Sequence, residues 1–229
     1  MSDSDAIIER IAASYDATIE AGNQGIDPYD QLPEAITSHP AYAVLRQGGN
    51  CSSGNPAIRT FLDPKPDEKF LDLGCAANII NYRLHEWPCV YFGVDASPAT
   101  IELLKRHTEA RKIEIGGVHC ARAERLPFPD LYFDLAACVG VLEYHPAEYA
   151  AAVLREAHRV LRPNARFYVD IPNLAHPGLP VMLLMEEHLG RPILLRVSRE
   201  EFKRLLEGLF NIDQEDSSRV MAGYFLRRL

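Results

Sequence analysis

Followed for its apolar positions alone, the chain opens on a helical stripe. Ile7, Ile8, Ile11, Tyr15 and Ile19 recur at three- and four-residue steps until Gly22, which predicts one amphipathic helix over residues 1–22. Residues 23–56 lose that rhythm. Gly25, Pro28, Pro33, Pro40, Gly48, Gly49, Gly54 and Pro56 punctuate them, so short helices joined by loops are expected. From Lys69 the pattern turns regular. Apolar runs at 69–73, 90–95, 117–121, 135–139 and 166–171 have the length of buried strands, and helical patterns near 78–85, 98–108 and 146–161 are interleaved with them. The last of these helices puts Tyr149, Val153, Ala157, Val160 and Leu161 on one face and is ended by Pro163. Strands alternating with helices predict a parallel sheet covered on both faces through right-handed crossovers.

The rhythm breaks over 172–197, where Pro172, Pro177, Gly178, Pro180 and Gly190 bracket the apolar piece Val181-Met-Leu-Leu-Met185. It resumes at Ser198-Arg-Glu-Glu201, a capping box ahead of Phe202, Leu205, Leu206 and Leu209 at helical spacing. Two final runs, 210–213 and 220–226, read as a closing hairpin. There is no internal repeat and no low-complexity tract.

Composition narrows the class. A chain of 229 residues that is 47% hydrophobic has ample core for one large domain. Its net charge of −8, with basic runs no longer than Lys105-Arg106 and Arg227-Arg228, argues against a nucleic-acid partner. The five cysteines, at 51, 75, 89, 120 and 138, are odd in number and lack a CxxC pair, which suits reduced thiols and a cytoplasmic location. The start, Met-Ser-Asp-Ser-Asp, is acidic where a signal peptide is basic. The longest apolar run, Leu135 to Leu142 with one glycine, is far short of the about 18 residues of a membrane span.

Candidate chemistry gathers where the first strand ends. In Lys69-Phe-Leu-Asp-Leu-Gly-Cys-Ala-Ala-Asn78, a buried strand is delivered to a small-residue turn and then to a helix. Small residues let backbone approach a ligand, and a helix N-terminus offers free N–H groups. The next strand, Val90-Tyr-Phe-Gly-Val94, ends in Asp95, roughly the 20 residues beyond the turn at which an acid reaches ribose hydroxyls. Without a ligand the same residues make an ordinary strand–helix turn.

LDLGCAAN followed by YFGVDASPATIELL resembles the first two motifs of class I S-adenosylmethionine (SAM)-dependent methyltransferases. Ala123-Glu-Arg-Leu-Pro-Phe-Pro-Asp130, Phe133-Asp-Leu135, Val141-Leu-Glu143 and Glu156-Ala-His-Arg-Val-Leu-Arg-Pro163 are similar to the ubiquinone/menaquinone-biosynthesis type of small-molecule methyltransferase. The resemblance spans roughly residues 57–171. It implies a Rossmann-like α/β fold: a seven-stranded, mainly parallel sheet in the order 3-2-1-4-5-7-6, its last-inserted strand antiparallel, helices on both faces, and an N-terminal helical lid. Residues 1–56 are then the lid region, and 57–229 the SAM-binding domain with a lid insertion at 172–197. SAM is the implied cofactor, S-adenosylhomocysteine (SAH) its product, and a small molecule accepting methyl on O, N or C the substrate.

By position in the motifs, Asp72, Gly74, Cys75, Ala76 and Asn78 line the methionine half of SAM. Ala76 and Asn78 stand where the family has its second and third glycines. Asp95 serves the ribose hydroxyls with Ala96 and Ser97 beside the adenosine, or else Asp95 and Ser97 only cap the helix opening at Pro98. Arg122-Ala-Glu124 holds the place of the family's Asp-Ala-Glu beside adenine. Ala123 can present its N–H there, but Arg122 has no acceptor for the adenine amino group. Cys138 and Val139 end the fourth strand at the same edge. Tyr144 and His145 are the candidates for orienting or deprotonating a substrate, the alternative for His145 being a structural role. Tyr15, next to Asp16, either reaches over the cofactor, as a Tyr-Asp pair does in many relatives, or belongs to the first helix's apolar face. Met182 and Met185 give an adaptable wall for a substrate pocket, with His176 nearby, or simply core packing. Asp170 and Asn173 lie close together after the fifth strand, yet no acidic metal cluster of the catechol type is evident, and no metal is expected.

Two other readings remain. A methyltransferase-fold protein whose pocket has degenerated and which acts as a binding or scaffolding subunit is motivated by Ala76, Asn78 and Arg122. An NAD-dependent oxidoreductase fits the first turn but not the continuation LPFPD…FDL…RVLRP.

Overall fold

The computed structural model describes residues 3–48 and 55–229; Gly49, Cys51 and Gly54 lie outside the described residues. Seven strands form one sheet: β1 (Lys69–Leu73), β2 (Val90–Asp95), β3 (Gly117–Cys120), β4 (Phe133–Cys138), β5 (Leu161–Pro172), β6 (Phe210–Asp216) and β7 (Met221–Arg228). Their order is β3-β2-β1-β4-β5-β7-β6. The first five strands run parallel, and β7 is antiparallel to both β5 and β6. The order is the one the resemblance implied.

Strand alternation sends successive side chains to opposite faces. Phe70, Tyr91, Leu135 and Phe225 pack with Ile58 and Leu62 of α4 (Pro56–Leu62) and with Ile101 and Leu104 of α6 (Pro98–Arg111). Leu71, Phe92, Ala136 and Phe167 face the other way. They meet Val153, Leu154 and Ala157 of α7 (Ala147–Val160) and Phe202 and Leu206 of α9 (Arg199–Leu206). The capping box opening α9 is formed: Ser198 Oγ accepts from Glu201 N–H, and the Glu201 carboxylate accepts from Ser198 N–H at 2.7 Å.

A third cluster covers the carboxyl edge of the sheet. Helix α1 (Asp3–Asn23) contributes Ile11; α2 (Glu34–Thr37) and α3 (Pro40–Gly48) contribute Ile36 and Leu45; α8 (Leu179–His188) contributes Leu179, Val181, Met182 and Met185. The N-terminal segment and the interruption at 172–197 therefore pack on each other.

Two elements depart from the apolar pattern. The helix expected near 78–85 is only α5 (Asn78–Asn81), because Arg83 adopts a left-handed φ of 52° and a single 3₁₀ turn, Leu84–Glu86, drops Leu84 into the core. The strand expected at 166–171 begins at Leu161, which pairs with Phe133; a bulge then carries the exposed Arg162, Pro163 and Asn164 before Arg166 pairs with Leu135.

Candidate active site

The site grows from two turns tied to each other. After β1, the N–H groups of Gly74 and Cys75 both donate to Val94 O at 2.9 Å, holding the turn against β2. Gly74 has φ +67°, and a Cβ built there would stand 2.2 Å from Val141 Cγ2, so only glycine fits. Ala76 also takes a left-handed φ, 36°, and its N–H donates to Asp95 Oδ2 at 2.9 Å. Asp95 Oδ1 accepts from Ser97 N–H at 2.9 Å. One carboxylate thus pins the ends of β1 and β2, and a carboxylate has further lone pairs to offer a ligand. Burial raises the Asp95 pKa, against the Ser97 and Ala76 N–H groups that stabilise its charge.

Around these turns lies a cavity enclosing about 850 Å³, its open mouth included. Ile8, Ile11, Ala12 and Tyr15 of α1 form one wall, and Gly74, Ala76, Asn78, Asp95 and Ala96 line the turns. Val94, Ala121, Ala123, Val139, Gly140, Val141, Tyr144, His145 and Tyr149 complete it. A flexible-φ glycine with no room for Cβ, exposed backbone and an acid at the end of β2 fit SAM, whose methionine half needs close backbone approach and whose ribose needs an acceptor.

Ten of the residues singled out in the sequence meet at this cavity: Tyr15, Gly74, Ala76, Asn78, Asp95, Ala96, Ala123, Val139, Tyr144 and His145. Others stand off it. Asp72 lies behind the turn, buried, accepting from Tyr91 OH at 3.0 Å and from Asn78 Nδ2 at 3.2 Å; burial pushes its pKa up to about 7. Asn78 thus supports Asp72 from the start of α5 instead of supplying an unusual backbone angle. Cys75 turns under the sheet toward Gly93 and Tyr91, and Cys138 is buried in the core. The four described cysteines are all unpaired. Ser97 caps α6 by accepting from Thr100 N–H, and its hydroxyl donates to Asp16 Oδ1 at 2.5 Å, so it anchors α1. Arg122 pairs with Asp5 and Glu124, each at 2.5 Å.

His145 stacks on Tyr149 with ring centroids 3.9 Å apart, and burial, aided by the Arg122 charge, pushes its pKa down to about 4. Its imidazole is neutral at pH 7. His176 accepts from Gly178 N–H in the turn before α8, and Met185 is buried in the lid cluster; neither lines a cavity.

Behind Tyr144 is a second space of about 500 Å³, its open mouth included, lined by Tyr15, Tyr29, Val139, Gly140, Glu143, Tyr144, Asp170, Met182, Glu186 and Met221. Tyr144 stands between the two cavities. Its hydroxyl donates to Glu186 Oε2 at 3.1 Å and lies 3.2 Å from Tyr15 OH. Arg191 pairs with Glu186 at 3.0 Å, donates to Tyr29 OH at 3.2 Å and sits 4.5 Å over the Tyr15 ring. Asp170 accepts from Gly140 N–H at 2.9 Å. Burial raises the pKa values of Tyr15, Tyr144, Glu143 and Glu186. The sequence reading assigned no site role to Glu143, Asp170, Glu186, Tyr29 or Arg191. A signal existed: Asp170 interrupts the apolar run 167–171, and Glu186 follows Val181–Met185 on a helix apolar nearly all round. Among the described residues, no group of three or more His, Cys, Asp or Glu side chains is placed to hold a metal ion, and no helix is long and apolar enough to cross a membrane.

Residues 71–169 match the family model described as "Methyltransferase domain". The uncharacterized methyltransferase YcgJ of Bacillus subtilis is 29% identical over 127 residues, 56% of this chain and 49% of the relative. A ubiquinone biosynthesis O-methyltransferase of Coxiella burnetii is 24% identical over 103 residues, 45% of this chain and 43% of the relative. The chain's match spans less than half the length of each of these two curated relatives. Among solved structures, the geranyl diphosphate C-methyltransferase of Streptomyces coelicolor A3(2), in complex with Mg2+, geranyl-S-thiolodiphosphate and SAH, superposes with a TM-score of 0.59 at 13% identity. That likeness covers 76% of each chain and is one of fold.

Proposed function

We propose, from the premise that residues 71–169 are a methyltransferase domain on the fold of SAM-dependent methyltransferases, that this chain transfers methyl from SAM to an O, N or C atom of a small organic molecule. The observation that carries the reading is the backbone-lined cavity at the ends of β1, β2 and β4, with Gly74 in its turn and Asp95 on its wall. When bound, SAM supplies a methyl already activated on a sulfonium, which is why no nucleophile–base triad is needed. Gly74, Ala76 and Asn78 would hold its methionine half, Asp95 and Ala96 its ribose, and Ala123 its adenine edge.

The rest of the chain supplies orientation and exclusion of water. Residues 1–56 act as a lid region together with the insertion at 172–197, bringing Tyr15 down beside Tyr144 of the turn after β4, between cofactor and acceptor. Tyr144, with a raised pKa and its proton engaged by Glu186, positions an acceptor instead of deprotonating it. His145, with a pKa near 4, is a poor base at neutral pH.

Isothermal titration with SAH tests the reading. Wild-type protein binds, and Asp95→Ala weakens binding by about 1.5–3 kcal/mol, the usual loss for a hydrogen bond to a charged group. Absence of heat at saturating SAH sinks the proposal and promotes the scaffolding-subunit reading. Unchanged affinity in a folded Asp95→Ala reduces Asp95 to a brace between two turns.

A further inference from the structure

The cavity behind Tyr144 has a wall chemistry that a neutral acceptor does not require. Three carboxylates, Glu143, Asp170 and Glu186, line it. Arg191, the cation paired with Glu186, is engaged three ways: by Glu186, by Tyr29 OH and by the Tyr15 ring. Glu143 is the most telling. It is only 5% exposed, it faces the cavity, and its Oε2 has no hydrogen-bond partner. A buried carboxylate without a partner is costly, and a glutamine would fill the same volume without the charge. Burial and the Asp170 charge raise the Glu143 pKa, so a positive ligand is what returns it to its ionised form. The remaining walls suit the body of such a ligand: Tyr29 and Tyr144 present aromatic surface that attracts a cation, and Met182 is a soft apolar filler.

We propose that this cavity receives the methyl acceptor and that the acceptor is an amine, which enters as its ammonium and is held against Glu143, with Asp170 and Glu186 extending the negative wall. The assignment rests on the methyltransferase reading and names its substrate class. For the nitrogen to act as nucleophile it must lose a proton. One N–H bond breaks, the electron pair stays on nitrogen as the attacking lone pair, and the proton goes to Glu143 Oε2. A carboxylic acid entering as its anion would leave Glu143 protonated and add its own charge to those of Asp170 and Glu186.

The test is a ligand panel on SAH-saturated protein at pH 7.5: methylamine, butylamine, benzylamine and 2-phenylethylamine, each against the alcohol and carboxylic acid of the same skeleton. At least one amine should bind about tenfold or more tightly than its alcohol, with the acid weakest. Glu143→Gln should remove that preference and leave the SAH dissociation constant within about threefold. If every alcohol binds as well as its amine in the wild-type protein, the proposal is overturned without recourse to a variant. A preference for amine that survives in folded Glu143→Gln overturns it too, as does a loss of SAH binding equal to the loss of amine binding, which would give Glu143 to the cofactor. Failure of SAH itself to bind is a separate outcome. It removes the methyltransferase reading, and the panel on protein without SAH then decides whether the cavity selects amines.

Discussion

The two cavities share Tyr15, Val139, Gly140 and Tyr144 and are built differently beyond them. The outer one sets the small-residue turns at the ends of β1 and β2, held by backbone N–H groups on Val94 O and Asp95, against a wall of α1 side chains and the tyrosines and histidine after β4. The inner one is made of large side chains: Tyr15 from α1, Tyr29 from the 3₁₀ turn at Pro28–Gln31, Glu143 from the loop after β4, Asp170 from β5, and Met182 and Glu186 from α8. A wall of backbone survives side-chain change. That is how Ala76 and Asn78 can occupy glycine positions with the turn still closed on Asp95. A wall of side chains depends on each member, because every buried polar group there needs its partner.

Removing one partner from the inner wall should therefore give the largest effect. Arg191→Met leaves Glu186 buried without a counter-ion and should lower stability by about 3–5 kcal/mol, with SAH affinity changed by less than about threefold. Denaturant titration and calorimetry on the same preparation read both. A parallel collapse of SAH binding would mean that the two cavities are one cooperative unit.

Behind the outer wall, Asp72→Asn separates the charge of the turn from its shape. In the unfolded chain this carboxyl ionises near pH 4, whereas in the fold it keeps its proton until about pH 7. The native state therefore holds the extra proton between those values, and wild-type stability falls as pH rises through that window. The asparagine variant lacks that loss, so its advantage over wild type should grow by about 2 kcal/mol between pH 5 and pH 8. A stability difference flat across this range would show that Asp72 is ionised in the fold throughout.

The smallest expected effect lies in the outer turn itself. Ala76 holds a left-handed φ of 36° that glycine adopts freely. Ala76→Gly should stabilise by about 0.5–1 kcal/mol, a rise in melting temperature of about 1–4 °C, with SAH affinity unchanged or improved. A destabilised Ala76→Gly would mean that the methyl packs better than its backbone is strained.

This division also decides what could be read from the chain. The sheet was legible because apolar runs such as Phe70–Leu73 and Val90–Val94 have one structural solution when helices alternate with them. The outer turn was legible because contiguous residues, 72–78 and 90–97, build most of it. Arg83 was not: a left-handed residue in the middle of a helical pattern is imposed by Leu84 reaching the core, a tertiary demand. Ser97 was assigned to the adenosine by its neighbours in sequence, while the structure buries it beneath Asp16, which lies 81 positions away. The inner wall has no spacing to read. Its carboxylates stand at 143, 170 and 186, and only folding brings them together.

The placement of β7 has a consequence for how the protein is made. β5 pairs with β4 on one side and, from Arg166 to Pro172, with β7 on the other. Until residues 221–228 have been synthesised, the second side of a strand carrying Phe167, Val169 and Ile171 is an unpaired, apolar sheet edge. At about 5–20 residues per second, residues 173–228 take on the order of 3–10 s to follow it from the ribosome. For that interval the nascent chain has most of its sheet and an open seam into which a strand of another nascent chain can zip. β7, the last of the seven strands of this sheet, closes that edge by pairing between β5 and β6, and so withdraws the molecule from its neighbours.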